Sequence, residues 1–268
     1  MRIIETNALT RRFGDLIACD NLSIGVEESE IFGLLGPNGA GKTTAIKMLT
    51  TLLPPTSGNA TVAGYDILHH ASSVRRVIGY VPQLLSADGT LTGYENLLIF
   101  AKLYDIPRRE RSQRIHDVLS FMDLEDESKR LVRTYSGGMI RRLEIAQSMM
   151  HRPKVLFLDE PTIGLDPIAR RAVADLVTDL RDNYGATIFM TTHLMEEADL
   201  LCDRVAIMYQ GKVAALGSPA ELKSSIGKEG ATLEDVFVHF AGSKLESEGD
   251  YRDYRETQRT RRTARRLG

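Results

Sequence analysis

Three short apolar runs, each next to turn-forming residues, predict buried strands at residues 31–35, 155–158 and 187–190. A Gly-Pro pair follows the first run, prolines bound the second, and a glycine precedes the third. The apolar residues between the second and third runs recur at the spacing of an amphipathic helix and are Ala172, Val173, Leu176, Val177 and Leu180. Because continuous apolar strands alternate with helices, the pattern predicts an α/β core with a parallel sheet covered on both faces.

The remaining apolar patterns are mostly helical. After the first strand, Ile46, Leu49 and Leu53 recur at helical spacing, and two prolines at 54–55 are predicted to stop that helix. From about residue 84 to 150 helices alone are predicted, which indicates an inserted helical subdomain. Its predicted apolar faces are Ile115, Val118, Leu119 and Met122 in a helix at 107–122, and Met139, Leu143, Ala146 and Met150 in a later one.

The last part of the chain predicts two strands and a further helix. Apolar residues at 205–209 and 213–216 flank a Gln-Gly-Lys turn. The helix is predicted to start near Thr232, because the spacing of Thr232 to Asp235 matches a capping box. Its apolar face is Leu233, Val236, Phe237 and Phe240. We expect one domain over residues 1–222 and a helical extension with a basic tail over 223–268.

Composition and charge narrow the class of protein. With 43% hydrophobic and 26% charged residues, the chain is typical of a globular protein. No run reaches the roughly 18 apolar residues that a membrane-spanning helix needs, so any membrane part is expected in a separate polypeptide. An acidic residue, Glu5, precedes any run of signal-peptide length, which predicts a cytoplasmic protein. Cys19 and Cys202 lack metal-ligand spacing and are predicted to be buried, reduced thiols.

The residues 251–268 carry seven Arg against Asp253 and Glu256, a net charge of +5. A basic tail can contact anionic lipid or nucleic acid, but such a run is more often a solvated terminus. We therefore assign it no chemical role.

A glycine-rich segment matches the phosphate-binding pattern G-x-x-x-x-G-K-[ST] between the first strand and its helix. Glycines let successive N–H groups converge on phosphate oxygens, and the helix presents its positive end to them. Lys42 is predicted to reach the β and γ oxygens, and Thr43 to offer a hydroxyl to Mg²⁺. The alternative is a glycine-rich turn without a ligand. The segment is Gly36, Pro37, Asn38, Gly39, Ala40, Gly41, Lys42 and Thr43.

Polar residues follow the other two strands. Asp159 and Glu160 end the second run, at the edge where open α/β sheets bind ligands. Asp159 is predicted to hold Mg²⁺ through water and Glu160 to polarise the water that attacks the γ-phosphate. The alternative is a solvated acidic pair. His193 closes the third run and has either a structural role or a place in this site. Ser136, followed by two glycines, is either a simple helix cap or a second anion site.

In this order the motifs resemble those of the ATP-binding cassette family, over roughly residues 3 to 220. The resemblance implies a P-loop NTPase core, an antiparallel β region at the N-terminus and an inserted helical signature subdomain. The matching motifs are the adenine-stacking aromatic Phe13, the Walker A loop Gly36 to Thr44, the Q-loop Gln83, the signature Tyr135-Ser136-Gly137-Gly138-Met139, the Walker B end Asp159-Glu160, the D-loop Gly164-Leu165-Asp166 and the switch residue His193.

The resemblance implies an ATP-hydrolysing transporter subunit. Two such domains would pack head to tail, each ATP lying between the Walker A loop of one and the signature of the other. Ser136 and the amides of Gly137 and Gly138 would bind the γ-phosphate, and Asp166 would couple the two sites. Glu160, His193, Gln83 and Lys42 would be catalytic, and Thr43, Gln83 and Asp159 would hold Mg²⁺.

The implied partners are a second copy or a homologous ATPase, and an integral-membrane permease of ABC-2 type that Gln83 would sense. No nucleic acid is expected, and the protein would lie on the inner face of the cell membrane.

Two departures from the commoner signature refine the resemblance. Tyr135 replaces a leucine and Met139 a glutamine, which removes one polar side chain near the nucleotide of the partner. This signature, the following Arg-Arg-Leu-Glu at 141–144 and the segment 232–237 resemble multidrug exporters of the daunorubicin-resistance type. The alternatives are a single-cassette ATPase in assembly or translation, and an importer ATPase. The transported molecule is left open, because the residues that select it would be in the permease.

Overall fold

The computed structural model describes residues 1–248, so the basic segment 251–268 lies outside the described residues. The strands are β1 Arg2–Phe13, β2 Leu16–Leu22, β3 Gly25–Glu27, β4 Ile31–Leu35, β5 Ser57–Val62, β6 Tyr65–Asp66, β7 Ile78–Val81, β8 Val155–Asp159, β9 Thr187–Thr192, β10 Arg204–Tyr209 and β11 Lys212–Gly217. The helices are α1 Lys42–Leu49, α2 Ala71–Val77, α3 Gly93–Leu103, α4 Arg108–Phe121, α5 Gly137–Met149, α6 Pro167–Tyr184, α7 Met195–Leu201, α8 Pro219–Ser225 and α9 Leu233–Glu248.

The larger sheet has the strand order β11-β10-β4-β9-β8-β7. Neighbouring strands from β10 to β7 are parallel, and β11 pairs antiparallel with β10. The predicted strands are therefore confirmed as neighbours, β4 beside β9 and β9 beside β8. This arrangement brings the carboxyl ends of β4, β8 and β9 to one edge.

The smaller sheet is the N-terminal antiparallel region. It has the order β2-β1-β5-β6, with β3 also pairing to β1. Together the two sheets confirm the α/β fold expected from the sequence.

Both faces of the parallel sheet are buried. Successive side chains of its central strands point to opposite faces, and each face packs against its own group of apolar residues. On one face Phe189 stacks on Phe32 at 5.5 Å between ring centroids and lies 5.4 Å from Phe157. These rings pack with α1 and the antiparallel sheet. On the other face Leu156 and Ile188 join the apolar residues of α3 to α9.

The inserted helices lie where the sequence predicts them, with α3, α4 and α5 inside residues 84–150. A capping box between Thr92 and Glu95 starts α3. A short 3₁₀ helix and an isolated bridge between Thr92 and Leu131 add structure that the helical pattern did not predict. Cys19 and Cys202 are free and buried as predicted, and burial raises the pKa of the Cys19 thiol to about 12.

Two details of the helices differ from the sequence expectation. Helix α1 ends at Leu49, ahead of the two prolines, because Thr51 adopts a left-handed backbone with φ of 63°. Leu53 is therefore outside the helix, although it still packs against the core. In α6 the buried alanine is Ala174 and not the predicted Ala172, which is exposed.

The last helix packs on the main core. Thr232 and Asp235 form the predicted capping box, with each backbone amide bonded to the side chain of the other residue. The side chains of Leu233, Val236 and Phe237 are buried, and that of Phe240 is half-buried. The division after residue 222 falls inside α8 and stays a prediction. Within residues 1–248, no helix is long and apolar enough to cross a bilayer.

We expect Phe237→Ala to lower the free energy of unfolding by about 3–5 kcal/mol, because it would leave a cavity in the main core. The Phe237 side chain is 2% exposed, whereas that of Val238 is 38% exposed, so Val238→Ala is the matched control. Denaturant unfolding measures both variants. Equal effects of the two substitutions would contradict the packing of α9 on the core.

Candidate nucleotide-binding and catalytic site

The loop between β4 and α1 is shaped by close backbone contacts. At Gly41, where φ is 103°, a Cβ atom would lie 2.2 Å from the carbonyl oxygen of Ala18. At Gly36 it would lie 2.3 Å from the carbonyl oxygen of Met208. Both positions therefore require glycine. Helix α1 begins at Lys42, so its N-terminal amides face the loop.

Lys42 lies inside this loop with its side chain 4% exposed. Its Nζ donates to the carbonyl oxygens of Gly36 at 2.9 Å and Pro37 at 3.1 Å. The same ammonium lies 3.3 Å from Oε1 of Glu160. The loop after β4 and the end of β8 are thus joined through one buried positive charge.

Asp159 is the last residue of β8 and is 1% exposed. Its Oδ1 accepts hydrogen bonds from the hydroxyl of Thr191 at 2.6 Å and from that of Thr43 at 3.2 Å. Threonine hydroxyls and a carboxylate therefore converge at the start of α1. Oxygen donors of this kind suit Mg²⁺.

Glu160 lies at the centre of the site. Its backbone is left-handed, with φ of 49°, and its amide donates to the carbonyl and hydroxyl oxygens of Thr191 at 3.1 and 3.0 Å. This conformation is unfavourable for a residue with a side chain, and such residues cluster at functional sites. Its Oε2 lies 2.9 Å from Nδ1 of His193, while Oε1 faces Lys42. The sequence predicted these three residues separately, and the fold brings them together.

The other predicted site residues lie apart from this cluster. Gln83 follows β7 and is half-buried. Ser136 caps α5, its hydroxyl accepting from the amide of Met139 at 3.3 Å, and is exposed. Phe13 is 45% exposed, with the Arg11 guanidinium 4.6 Å from its ring centroid. Within residues 1–248, no hydrogen bond joins the side chains of these residues to Lys42, Glu160 or His193.

Glu197 is a site residue that the sequence reasoning missed. Its side chain, on α7, is buried, and its Oε1 accepts from the hydroxyl of Thr162 at 2.7 Å. Its Oε2 accepts from the hydroxyl of Thr192, which in turn accepts from the amide of Leu194 at 3.0 Å. The Glu197 carboxylate thus links Thr192 and Leu194, the residues on either side of His193, to Thr162, which follows Glu160. The sequence signal was weak, because the adjacent Glu196 is exposed and the pair resembles a solvated acidic turn.

Comparisons with known proteins identify the family of the chain. Residues 19–163 match the model of the ABC transporter family. The chain is 43% identical to the daunorubicin/doxorubicin resistance ATP-binding protein DrrA of Streptomyces peucetius, over 92% of this chain and 74% of that protein. It is 39% identical to the linearmycin resistance ATP-binding protein LnrL of Bacillus subtilis, over 84% of this chain and 72% of that protein.

Solved structures show the same fold. An ATP-binding subunit of an ABC transporter matches with a TM-score of 0.79 and 28% identity, over 89% of this chain and 99% of that one. CbiO1 of Clostridium perfringens, part of the ABC transporter complex cbiONQ, matches with a TM-score of 0.77 and 27% identity, over 84% of this chain and 92% of that one.

The fold and the glycine-rich loop define a P-loop ATPase. The chain belongs to the ABC transporter family. It is the ATP-binding, ATP-hydrolysing subunit of such a transporter, a class of ATPase that dimerises and works with a membrane permease. The family, the fold and the ATPase activity predicted from the sequence are confirmed.

The buried carboxyl of Glu197 predicts a pH effect on stability. Burial raises its pKa above the ordinary value of 4.5, so the native state holds this proton to higher pH than the unfolded state. Its contribution to stability is therefore complete below pH 4.5 and declines as the pH rises through the raised pKa. Glu197→Gln removes this titration.

The measurement is the free energy of unfolding from pH 4 to 7 for the wild type and the variant. We expect the wild type to lose stability relative to Glu197→Gln as the pH rises. Glu196→Gln, which changes an exposed neighbour, should follow the wild type. A constant difference between wild type and Glu197→Gln would contradict the raised pKa.

Proposed function

We propose that this chain energises the export of drugs or other hydrophobic compounds through a separate integral-membrane permease of ABC-2 type. The observation that carries the proposal is the 43% identity to a daunorubicin/doxorubicin resistance ATP-binding protein over 92% of this chain. The signature with Tyr135 and Met139 supports the same direction of transport. The protein would lie at the inner face of the cell membrane, peripheral to its permease.

In the proposed site Phe13 stacks on adenine and the loop from Gly36 to Thr44 holds the phosphates. The Lys42 ammonium donates to two carbonyl oxygens of the loop, and the phosphate oxygens would be further acceptors for it. Its contact with Glu160 at 3.3 Å holds the ammonium in the loop. The loop amides and the N-terminus of α1 add partial positive charge at the same place.

The residues present fit Mg²⁺. Thr43 and Asp159 already share a hydrogen bond at 3.2 Å, and both offer oxygen, the ligand that this cation prefers. Thr43, Asp159 and Gln83 would hold the ion, which would neutralise charge on the phosphates.

Glu160 is the proposed general base. Its Oε2 contacts His193 and its Oε1 contacts Lys42, so both carboxylate oxygens are oriented before a water molecule binds. In hydrolysis the water oxygen bonds to the γ-phosphorus, the bond from that phosphorus to ADP breaks, and ADP leaves with phosphate as the other product. The carboxylate accepts the proton of the attacking water, and the Lys42 ammonium stabilises negative charge on the phosphate oxygens. The switch residue His193 holds the carboxylate in place, and Gln83 completes the catalytic set.

A second copy, or a homologous ATPase, would complete each nucleotide site. Ser136 and Gly137 are exposed at the N-terminus of α5, so another protein surface can reach them. A Cβ atom at Gly138 would lie 2.8 Å from that of Ala169, near the start of α6, so the signature turn is packed against the segment that follows the D-loop. In the dimer Ser136 and the amides of Gly137 and Gly138 bind the γ-phosphate, and Asp166 couples the two sites.

The proposed permease contact lies beside Gln83. The next two residues, Leu84 and Leu85, are 82% and 53% exposed. On α3, Ile99 and Leu103 are 42% and 69% exposed. Exposed apolar side chains directly after Gln83 favour an apolar partner surface. A cytoplasmic segment of the permease would cover them.

The substitutions Leu84→Asp and Leu85→Asp test this proposal, because two charges would have to be desolvated in an apolar contact. The tagged chain is co-expressed with its permease and purified from detergent-solubilised membranes, and daunorubicin efflux is measured in the same cells. We expect wild-type chain to co-purify with the permease and to support efflux, and the double variant to lose both.

Leu200→Asp on α7, at a side chain 61% exposed, is the matched control and should behave as wild type. Retention of permease and efflux by the double variant would contradict the docking surface. Isolation of the wild-type chain with ribosomes instead of a permease would contradict the exporter function.

A further inference from the structure

Two oppositely charged side chains are buried within one turn of the signature helix α5. Arg141 is 1% exposed and Glu144 is 3% exposed, and Nη1 of the arginine lies 3.0 Å from Oε2 of the glutamate. Burial lowers the pKa of the Arg141 guanidinium, which shows that the protein interior disfavours its charge. A buried ion pair is a poor source of stability compared with apolar side chains of the same size. The role of this ion pair is therefore sought in its contacts with the rest of the chain.

Arg141 binds the backbone beside Gln83. Its Nη1 donates to the carbonyl oxygen of Pro82 at 2.8 Å, and its Nη2 donates to the carbonyl oxygen of Gln83 at 2.9 Å. The planar guanidinium presents two donors in a fixed geometry, which a lysine ammonium cannot reproduce.

Glu144 binds the other end of the same segment. Its Oε1 accepts from the amide of Ser86 and, at 3.1 Å, from the hydroxyl of Ser86. Arg141 and Glu144 together thus hold residues 82–86 at both ends, while the intervening Leu84 and Leu85 side chains face solvent. This segment is therefore attached to α5 on one side and open on the other.

The same helix begins at the signature motif. Ser136 caps α5, and Arg141 lies about one and a half turns further along. A helix this short moves as a rigid unit, so a displacement of residues 82–86 would be transmitted to Ser136 and its neighbouring amides. Arg142, the next residue, contacts a different element: its Nη1 donates to the carbonyl oxygen of Met122 at 2.9 Å.

We propose that Arg141 and Glu144 are positioning residues that fix segment 82–86 to the signature helix and so couple permease binding to ATP hydrolysis. The coupling rests on the proposed function, since it needs a permease that binds beside Gln83. The attachment of the segment to α5 is independent of the proposed function.

The test uses three variants of the full chain. Arg141→Lys keeps the charge but loses the two-pronged contact. The double variant Arg141→Met with Glu144→Met removes both charges at similar volume, so the fold is expected to survive where a single loss would leave an unpaired charge. Arg142→Lys is the matched control.

Two measurements are made on each. Hydrogen exchange of the Ser86 amide, which donates to Glu144, reports the attachment, and the ratio of permease-stimulated to unstimulated ATPase activity reports the coupling. For the double variant we expect exchange of this amide to rise about tenfold or more. We expect its stimulation ratio to fall about threefold to tenfold. The KM for ATP should change little, because neither residue is placed at the nucleotide. Arg141→Lys should show smaller changes in the same direction, and Arg142→Lys none.

Wild-type exchange and wild-type stimulation in a folded double variant would overturn the proposal, as would faster exchange with unchanged stimulation. If the wild type itself binds no permease and is not stimulated, the proposed function is contradicted. Unchanged exchange in the folded double variant would then overturn the attachment as well.

Discussion

The site depends on one carboxylate held from two sides. Glu160 contacts the Lys42 ammonium at 3.3 Å and the His193 imidazole at 2.9 Å, and these partners come from different segments of the chain. The contact is possible because β4, β9 and β8 are adjacent and parallel, with Leu35 opposite Thr192 and Asp159 opposite Thr191. A register shift of one residue would turn alternate side chains to the opposite face and separate the three groups.

The surrounding structure keeps that carboxylate oriented. The Thr191 hydroxyl accepts a hydrogen bond from the amide of Glu160 and donates one to Asp159. These hydrogen bonds stabilise the left-handed backbone at Glu160. Glu197 ties both neighbours of His193 to Thr162. Beneath them the stacked rings of the parallel sheet fill one face of the core. Because interiors of this kind are close-packed, the strand ends have little freedom to move independently.

Much of this could be predicted from the sequence, since apolar runs bounded by glycine or proline mark the strands and the glycine-rich loop has a specific pattern. Features that depend on tertiary contacts could not be predicted. The side chains of Arg141, Glu144 and Glu197 are charged and buried. The sequence pattern around them does not distinguish them from charged residues on an exposed helix face. Their burial depends on hydrogen-bond partners far away along the chain, such as Pro82 for Arg141. The end of α1 was similarly set by one left-handed residue, Thr51, that no apolar pattern signals.

We propose that the Glu160 carboxylate activates the attacking water while other groups bind the nucleotide. The test measures ATP turnover, ATP affinity and oligomeric state of Glu160→Gln, with the exposed Glu196→Gln as control. We expect the Glu160 variant to bind ATP, to lose about 10²–10⁴-fold in kcat, and to accumulate as ATP-bound dimers. The control should hydrolyse ATP as the wild type does. Wild-type turnover in Glu160→Gln would contradict the role of Glu160 as general base.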